Sequence, residues 1–284
     1  MIYLRLQGGL GNQLFILAMA LHLSEKTNRR VGLVSNRRVP HKVIKELAGL
    51  NQHRVKLVSS PQIMLIFKSL GWVLSSQKKL ANFLNAKNWF FVEIQNKKLV
   101  LEDLYRASFI EGYFQRAWIV DSIWDQIGSK LLNVLNNLHG EIDLSIRSKR
   151  VIHVRRGDYR HHASIFGLLT REYYEGLIAG LENVSGFTDM TLEEAESFFD
   201  STKVVLYTPD QVDETKVLWE LAHAEVVIIA NSSLSWWGGY LAAKEGARVI
   251  APKPWFRCTD HWSEEIFPTN FLTEKSVFSD ESTS

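Results

Sequence analysis

The side chains best suited to chemistry lie in one short stretch, residues 151–159, where an apolar run ends in charged residues. Its β-branched residues predict a buried strand, which a glycine then ends. Because side chains alternate along a strand, His153 and Arg155 should share one face and Arg156 the other. Two guanidinium groups suit a phosphate-bearing ligand. An ion pair between an arginine and Asp158 at a solvated strand end would use the same residues, so both interpretations stand at this point.

Two further stretches share one design, in which a strand leads through a small-residue turn into a helix. Residues 8–13 read Gly-Gly-Leu-Gly-Asn-Gln after a predicted strand, 2–6. Residues 231–237 read Asn-Ser-Ser-Leu-Ser-Trp-Trp after the apolar strand 225–230. Free N–H groups at a helix start favour anions. A plain tight turn at the first stretch and ordinary serine capping at the second would give the same residues.

Metal-binding patterns are missing from the sequence. It contains no Asp-x-Asp pair to clamp a divalent cation on a diphosphate, and no His/Cys cluster has zinc spacing. The glycine-rich turn lacks the third glycine of a dinucleotide fingerprint and the Lys-Ser or Lys-Thr of a P-loop. The sequence therefore predicts a metal-free site in which arginine and helix dipoles neutralise a diphosphate.

The elements that must position these residues alternate between strand and helix, which predicts an α/β fold with parallel sheets. A chain of 284 residues has room for two domains. The polar segment 141–149 is the predicted boundary, giving domains 1–148 and 149–284. A net charge of +2 does not indicate nucleic-acid binding. The single cysteine, Cys258, fits a reducing compartment. No apolar stretch is long enough to span a membrane, and no signal-peptide pattern is present.

Region 72–98 interleaves lysines with aromatic residues. One interpretation is a patch that faces a membrane surface or a glycolipid. The favoured one is a solvated helix rim over the edge of the core.

Four motifs occur in order along the chain, and a fifth segment, Ala251–Trp255, follows them. They are Gly8-Gly9-Leu10-Gly11-Asn12-Gln13-Leu14-Phe15, Gly112-Tyr113-Phe114-Gln115, His153-Val154-Arg155-Arg156-Gly157-Asp158-Tyr159 and Asn231-Ser232-Ser233-Leu234-Ser235-Trp236-Trp237. Together they resemble glycosyltransferase family 11, the inverting α-1,2-fucosyltransferases. The resemblance implies a GT-B architecture, with two Rossmann-like domains facing each other across a cleft. It also implies GDP-fucose as donor and no cofactor, with no metal required.

The resemblance assigns catalysis to three residues of the third motif. His153 and Arg155 would lie at the nucleotide, with Arg155 as the phosphate anchor. Asp158 is the best-placed carboxylate for a catalytic base, and it could instead orient the arginines.

The remaining assignments follow the other motifs. In related enzymes an aspartate after a strand reads guanine. Here Thr208-Pro209-Asp210 stands in place of the usual Ser-Asp-Asp, which makes Asp210 the candidate. Acceptor binding is assigned to Gln115 and Trp237. The residues assigned to donor binding are Gly11, Asn12, Arg156, Asp210, Asn231, Ser232, Ser233 and Ser235.

The implied reaction transfers L-fucose from GDP-β-L-fucose to a galactoside hydroxyl, expected at position 2, with inversion to an α linkage. The acceptor would be a galactose-terminated oligosaccharide or a lipid-linked glycan. Because the chain begins at its first strand, it resembles a bacterial, cytoplasmic form, and peripheral contact with the inner face of the plasma membrane is left open. Alternatives are another GDP-sugar, another acceptor hydroxyl, or a non-catalytic nucleotide- or glycan-binding module.

Overall fold

The computed structural model describes most of the chain and divides it into two compact units, 1–131 and 132–284. The dividing line falls inside a helix, earlier than the predicted boundary at 148/149. The second sheet nevertheless begins at Arg150, close to that prediction. The described residues are 1–35, 40–50, 54–76, 90–93, 98–141, 149–199, 204–261 and 264–279, with side chains described for all of these except 70–76.

The first unit is built on a parallel sheet whose order is β3-β2-β1-β5-β4. Its strands are β1 Ile2–Leu6, β2 Val31–Ser35, β3 Val55–Val58, β4 Phe90–Val92 and β5 Phe109–Glu111. β1 lies at the centre, so the turns that follow β1 and β5 leave from neighbouring strands.

Helices cover this sheet. They are α1 Leu10–Thr27, α2 Lys42–Leu50, α3 Pro61–Ser76, α4 Leu101–Arg106 and α5 Ala117–Ser122, and α6 Trp124–His139 continues into the second unit. The central part of α1, residues 14–21, is apolar throughout and buried. Residues 117–139 form two helices, α5 and α6, which separate at Ile123.

The second unit has a parallel sheet of order β11-β10-β9-β6-β7-β8. Its strands are β6 Arg150–Val154, β7 Val184–Thr188, β8 Val204–Tyr207, β9 Val226–Ile228, β10 Arg248–Lys253 and β11 Leu272–Lys275. Counted along the chain from β6, this is the 3-2-1-4-5-6 order of a doubly wound, dinucleotide-type sheet. The strand order reverses between β6 and β9, and the register sets Phe187 beside His153 on one side and Tyr207 on the other.

Two helices of the second unit begin at side-chain caps that are typical of threonine. Thr170 accepts a hydrogen bond from Tyr173 N at the start of α8, and Thr191 forms a capping box with Glu194 at the start of α9. The helices are α7 Ala163–Phe166, α8 Arg171–Ile178, α9 Leu192–Phe198, α10 Glu214–Ala222 and α11 Ser233–Lys244, and a 3₁₀ helix covers Asp158–His162.

The predicted α/β class with parallel sheets is confirmed, one sheet in each unit, while the cleft between the domains stays a prediction. The polar, acidic sequence of residues 183–200 predicts a loop with a short helix from Thr191, and the loop part of this prediction is wrong, because β7 occupies 184–188. Glycine is a poor strand former, so Gly186 weakened the strand pattern in the sequence. The position nevertheless favours glycine, because an added Cβ would lie 2.3 Å from the Leu206 side chain. In the described ranges, no helix combines the length and apolarity needed to span a bilayer. Region 72–98 lies largely outside the described residues, and its two interpretations stay predictions.

Candidate functional site

The second unit brings two of the sequence motifs to one edge of its sheet. The turn after β6 carries Arg155 and Asp158, and the turn after β9 carries Asn231 and Ser232. β6 and β9 are neighbours at the point where the strand order reverses. In open α/β sheets, ligands bind outside the carboxyl ends of strands at this switch point.

Tyr159 joins the two turns. Its hydroxyl donates to the Asn231 carbonyl oxygen at 2.9 Å, and its ring lies under the Arg155 guanidinium, 5.2 Å from centroid to Cζ. On its other side the ring packs against Phe166 at 4.6 Å. Burial raises the pKa of the Tyr159 hydroxyl above its ordinary value, so it remains a donor at neutral pH.

Arg155 is held by two carboxylates. Its Nη2 lies 2.7 Å from Asp158 Oδ1, and its Nη1 lies 3.1 Å from Asp189 Oδ2. Burial alone would lower the pKa of the Arg155 guanidinium, but the charge of Asp189, with Tyr159 and Asp158, raises it above its ordinary value. With 26% of its side chain exposed, Arg155 presents a fixed positive charge at the edge of the sheet.

Asp189 was missed by sequence reasoning. It follows β7 directly, and its Oδ1 accepts the backbone N–H of Arg156 at 2.7 Å. The turn after β6 approaches it closely, since a Cβ at Gly157 would lie 2.4 Å from Asp189 Oδ2. A charged residue directly after a strand was the available signal, and it was lost because β7 itself was not predicted.

His153 lies in β6 with only 3% of its surface exposed. Burial is the main cause that lowers its pKa to about 4, with Asp189 opposing the shift and the nearby Arg155 adding to it. The imidazole is therefore neutral at pH 7. Its buried Nδ1 has no hydrogen-bond partner among the described residues, and the role of His153 at the nucleotide stays a prediction.

Asp158 is the most exposed member of this group, with 67% of its side chain accessible. It lies at the start of the 3₁₀ helix and pairs with Arg155 three residues earlier. This direct contact with Arg155 is what the orienting role requires, and the choice between that role and a catalytic base stays a prediction.

At the start of α11, some of the residues predicted to bind the sugar donor are available to a ligand, and others hydrogen-bond within the protein. Ser232 occupies the cap position without a side-chain capping bond, and Ser233 is the first helical residue. The prediction of donor binding for Ser235 does not fit its geometry, because the fully buried hydroxyl donates back to Ala230 O at 3.0 Å. Asn231 is also fully buried and donates to Phe166 O at 2.8 Å, which ties α7 to the site.

Two predicted binding residues point into the interior. Arg156 is 8% exposed, donates to Leu169 O at 3.3 Å and lies over the Phe198 ring. Its donor-binding role does not fit this geometry, although it does take the face opposite to Arg155, as alternation predicted. Trp237 is 0% exposed and packs edge-on to Trp236. Acceptor binding by Trp237 does not fit this burial, since the ring has no free face.

Asp210 lies away from the switch point. It is exposed in the turn after β8, the edge strand of the sheet. β7 separates β8 from β6, so the two strands are roughly 10 Å apart at the usual spacing. The carboxylate that the structure does bring to Arg155 from a neighbouring strand is Asp189.

The first unit brings its two motifs together in the same way. Residues 8–13 follow β1 and residues 112–115 follow β5, its neighbour in the sheet. Gln115 Nε2 donates to Asn12 Oδ1 at 2.8 Å. Gly11 is buried in the first turn of α1, whose cap residue makes no side-chain capping bond. Gln115 and Asn12, predicted for acceptor and donor, therefore form one polar cluster.

Within the described residues, no three His, Cys, Asp or Glu side chains converge as metal ligands. The predicted metal-free site stays a prediction.

Two curated glycosyltransferases of Escherichia coli are similar to this chain over most of its length. The O-antigen biosynthesis glycosyltransferase WbnK is 29% identical over 291 residues, which cover 90% of this chain and 95% of the relative. An alpha-1,2-colitosyltransferase is 26% identical over 280 residues, which cover 89% of this chain and 91% of the relative.

The likeness to solved structures is more distant. The E. coli heptosyltransferase WaaC with ADP aligns with a TM-score of 0.44 and 12% identity, covering 96% of this chain and 92% of that structure. No family model matches the chain.

Proposed function

We propose that the chain is a glycosyltransferase that moves L-fucose from GDP-β-L-fucose to the 2-hydroxyl of a galactoside, with inversion to an α linkage. Glycosyl transfer is supported by the two E. coli relatives, both glycosyltransferases that align over about nine-tenths of the chain. The name of one refers to O-antigen biosynthesis, which supports a surface-polysaccharide precursor as acceptor. The sugar and the linkage are our proposal, and they rest on the sequence motifs.

The observation that carries the proposal is the fixed guanidinium of Arg155 beside the N-terminus of α11 at the switch point of a doubly wound sheet. Both groups attract a diphosphate. When the fucose C1–O bond breaks, negative charge develops on the leaving GDP, and groups already aimed at that charge lower the barrier. In this proposal Arg155 and the helix start replace the metal that some sugar transferases use.

Inversion follows from a single displacement. The acceptor oxygen attacks C1 from the face opposite GDP, the C1–O bond electrons pass to the β-phosphate oxygen, and the proton of the acceptor hydroxyl passes to solvent water. A β-linked donor then gives an α-linked product. Because Asp158 is paired with Arg155 at 2.7 Å, we assign it to orienting that arginine, and leaving-group stabilisation supplies most of the acceleration.

The first unit contributes the Asn12–Gln115 cluster. In this proposal the cluster binds the acceptor and the fucosyl group. The acceptor is a galactose-terminated oligosaccharide or a lipid-linked glycan, and a lipid-linked one would bring the enzyme to the inner membrane face as a peripheral protein.

A second donor is favoured by one observation, the relative named alpha-1,2-colitosyltransferase. Colitose is L-fucose without its 3-hydroxyl, so the two donors share the diphosphate and differ by one polar group. A site built to hydrogen-bond that hydroxyl would discriminate strongly between them.

The experiment that tests the proposal offers the purified protein GDP-fucose, GDP-colitose and GDP-mannose, each with a panel of galactose-terminated oligosaccharides. The expected product is an α-1,2-fucosylated galactoside, identified by NMR linkage analysis. Faster transfer from GDP-colitose would replace the donor in the proposal. GDP binding by calorimetry without transfer to any acceptor would favour the non-catalytic binding module.

A further inference from the structure

Glu93 is a buried carboxylate in the first unit that the proposed transfer does not use. It follows β4, its side chain is 0% exposed, and it pairs with Arg116, whose side chain is 1% exposed. Withdrawing two charges from water opposes folding, and well-packed apolar residues often serve a core at least as well. Stability alone therefore does not explain why the Glu93–Arg116 pair is buried.

The contacts of Glu93 show what the pair holds. Its Oε2 accepts the backbone N–H groups of Tyr113 at 2.8 Å and Phe114 at 2.6 Å, while Oε1 pairs with Arg116. Burial raises the pKa of Glu93, and Arg116 and the two N–H donors oppose that shift by stabilising the carboxylate. Loop 112–116 therefore binds the Glu93 carboxylate through two backbone N–H groups and one guanidinium.

The backbone of this loop adopts a conformation that its residue types disfavour. Phe114 has φ of +53°, in the left-handed region that bulky residues avoid. A Cβ at Gly112 would lie 2.5 Å from Glu93 Cβ, so the chain passes Glu93 with no room for a side chain there. The hydrogen bond from Phe114 N to Glu93 is what holds the unfavourable turn in place.

The turn has a direct consequence for the next residue. Gln115 leaves the turn with its side-chain amide directed at Asn12, to which it donates at 2.8 Å. Gln115 and Asn12 are the two residues of this unit that the proposed transfer places beside acceptor and donor. A small displacement of such groups is enough to slow a reaction greatly.

We propose that Glu93 is a positioning residue, which holds loop 112–116 so that Gln115 meets Asn12 and the acceptor. This inference rests on the proposed function. Glu93 does not touch substrate and acts through Gln115.

The test is a double-mutant cycle of Glu93→Gln and Gln115→Ala, with initial rates measured against acceptor and donor separately. Glu93→Gln should lower kcat/KM for the acceptor by about 10- to 100-fold, with the donor KM nearly unchanged. In the Gln115→Ala background, Glu93→Gln should have almost no further effect. A full additional loss in that background, or unchanged acceptor kinetics in the single variant, would overturn the proposal.

A matched control separates positioning from general destabilisation. Leu47→Ala removes a fully buried side chain of α2 in the same unit, outside loop 112–116. It should lower the unfolding midpoint while leaving the acceptor KM unchanged. If Glu93→Gln does not fold, Gly112→Ala displaces the same loop and keeps the ion pair, and it should reproduce the kinetic loss. Normal acceptor kinetics in Gly112→Ala would contradict the proposal.

Amide hydrogen exchange keeps this inference distinct from the proposed function. The Tyr113 and Phe114 amides should be protected in the wild-type protein and exposed in Glu93→Gln or Gly112→Ala, with or without any substrate. An inactive wild-type protein with protected amides would contradict the proposed function only. Fast exchange of both amides in the wild type would contradict the positioning role of Glu93.

Discussion

Asp189 and Arg155 lie at the ends of neighbouring strands, with Asp189 Oδ2 3.1 Å from Arg155 Nη1. The other oxygen of the same carboxylate accepts Arg156 N at 2.7 Å, so one side chain fixes both the turn and the guanidinium. An arginine side chain has many rotamers, and holding it in place beforehand removes part of the entropy lost when it binds a phosphate.

The first prediction concerns this pair. Asp189→Asn keeps the size of the side chain and an oxygen for Arg156 N, but it removes the charge beside Arg155. We expect kcat/KM for the donor to fall by about 10- to 100-fold. With Arg155→Ala already present, the same change should have little effect, and steady-state kinetics of the four proteins measure this.

A surface carboxylate gives the control for that cycle. Glu175 pairs with Arg171 on the exposed side of α8, 2.6 Å apart. Glu175→Gln should leave the donor kinetics within about twofold, because exposed pairs contribute little. If Asp189→Asn lowered kcat/KM equally in both Arg155 backgrounds, Asp189 would act on the substrate by another route.

The second prediction is that Arg155→Ala removes the phosphate anchor. Loss of one preorganised group that stabilises developing charge typically lowers the rate by about 10²- to 10³-fold. Arg155→Lys should recover part of the rate, because a lysine restores the charge without the two-pronged geometry. Calorimetry with GDP and transfer assays would check both variants. Near-normal transfer by a folded Arg155→Ala protein is the result that would rule out its assigned role.

The sequence predicted the ends of β6 and β9 well, and with them Arg155 and Ser232, because β-branched runs followed by small residues mark strand ends clearly. β7 was missed, since Ser185 and Gly186 are poor strand formers whose conformation is imposed by the strands on either side. Asp189 was lost with it. Contacts made across a sheet are set by tertiary packing, and no local pattern records them.

Motif membership also does not reveal the direction of a side chain. Arg156 and Trp237 belong to the same motifs as Arg155 and Ser232, yet both are buried in the second unit. Alternation along β6 separated Arg156 from Arg155 correctly. For Trp237, ordinary core packing was the better expectation, because tryptophan has a large apolar surface to bury.

The third prediction follows from the burial of Trp237. Trp237→Phe should lower the unfolding midpoint, because a large buried ring is replaced by a smaller one. The acceptor KM should not change, since the ring has 0% exposure. Thermal unfolding and acceptor titration on one preparation measure both effects. A rise in acceptor KM of tenfold or more, with normal donor kinetics, would restore the predicted acceptor role.

The fourth prediction concerns metals. If Arg155 and the start of α11 neutralise the diphosphate, transfer should persist in excess EDTA, and added Mg²⁺ or Mn²⁺ should change the rate by less than about twofold. Rates after chelation and after readdition of each metal test this. Loss of transfer in EDTA, followed by recovery with one metal, would contradict the metal-free site.

The fifth prediction is acid destabilisation through His153. Burial lowers its folded-state pKa to about 4, while the unfolded value is near 6.5. Between these values the unfolded chain binds a proton that the folded chain does not, so the free energy of unfolding falls as pH falls. From pH 7.5 to 5 this group should remove up to about 2 kcal/mol of stability.

Urea unfolding at both pH values measures the change, and His153→Gln should show a smaller one. His22 of the first unit, with its own pKa lowered to about 4, remains in both proteins, so its contribution cancels in the comparison. Equal losses in the wild type and in His153→Gln would mean that His153 takes up its proton without opposing the fold.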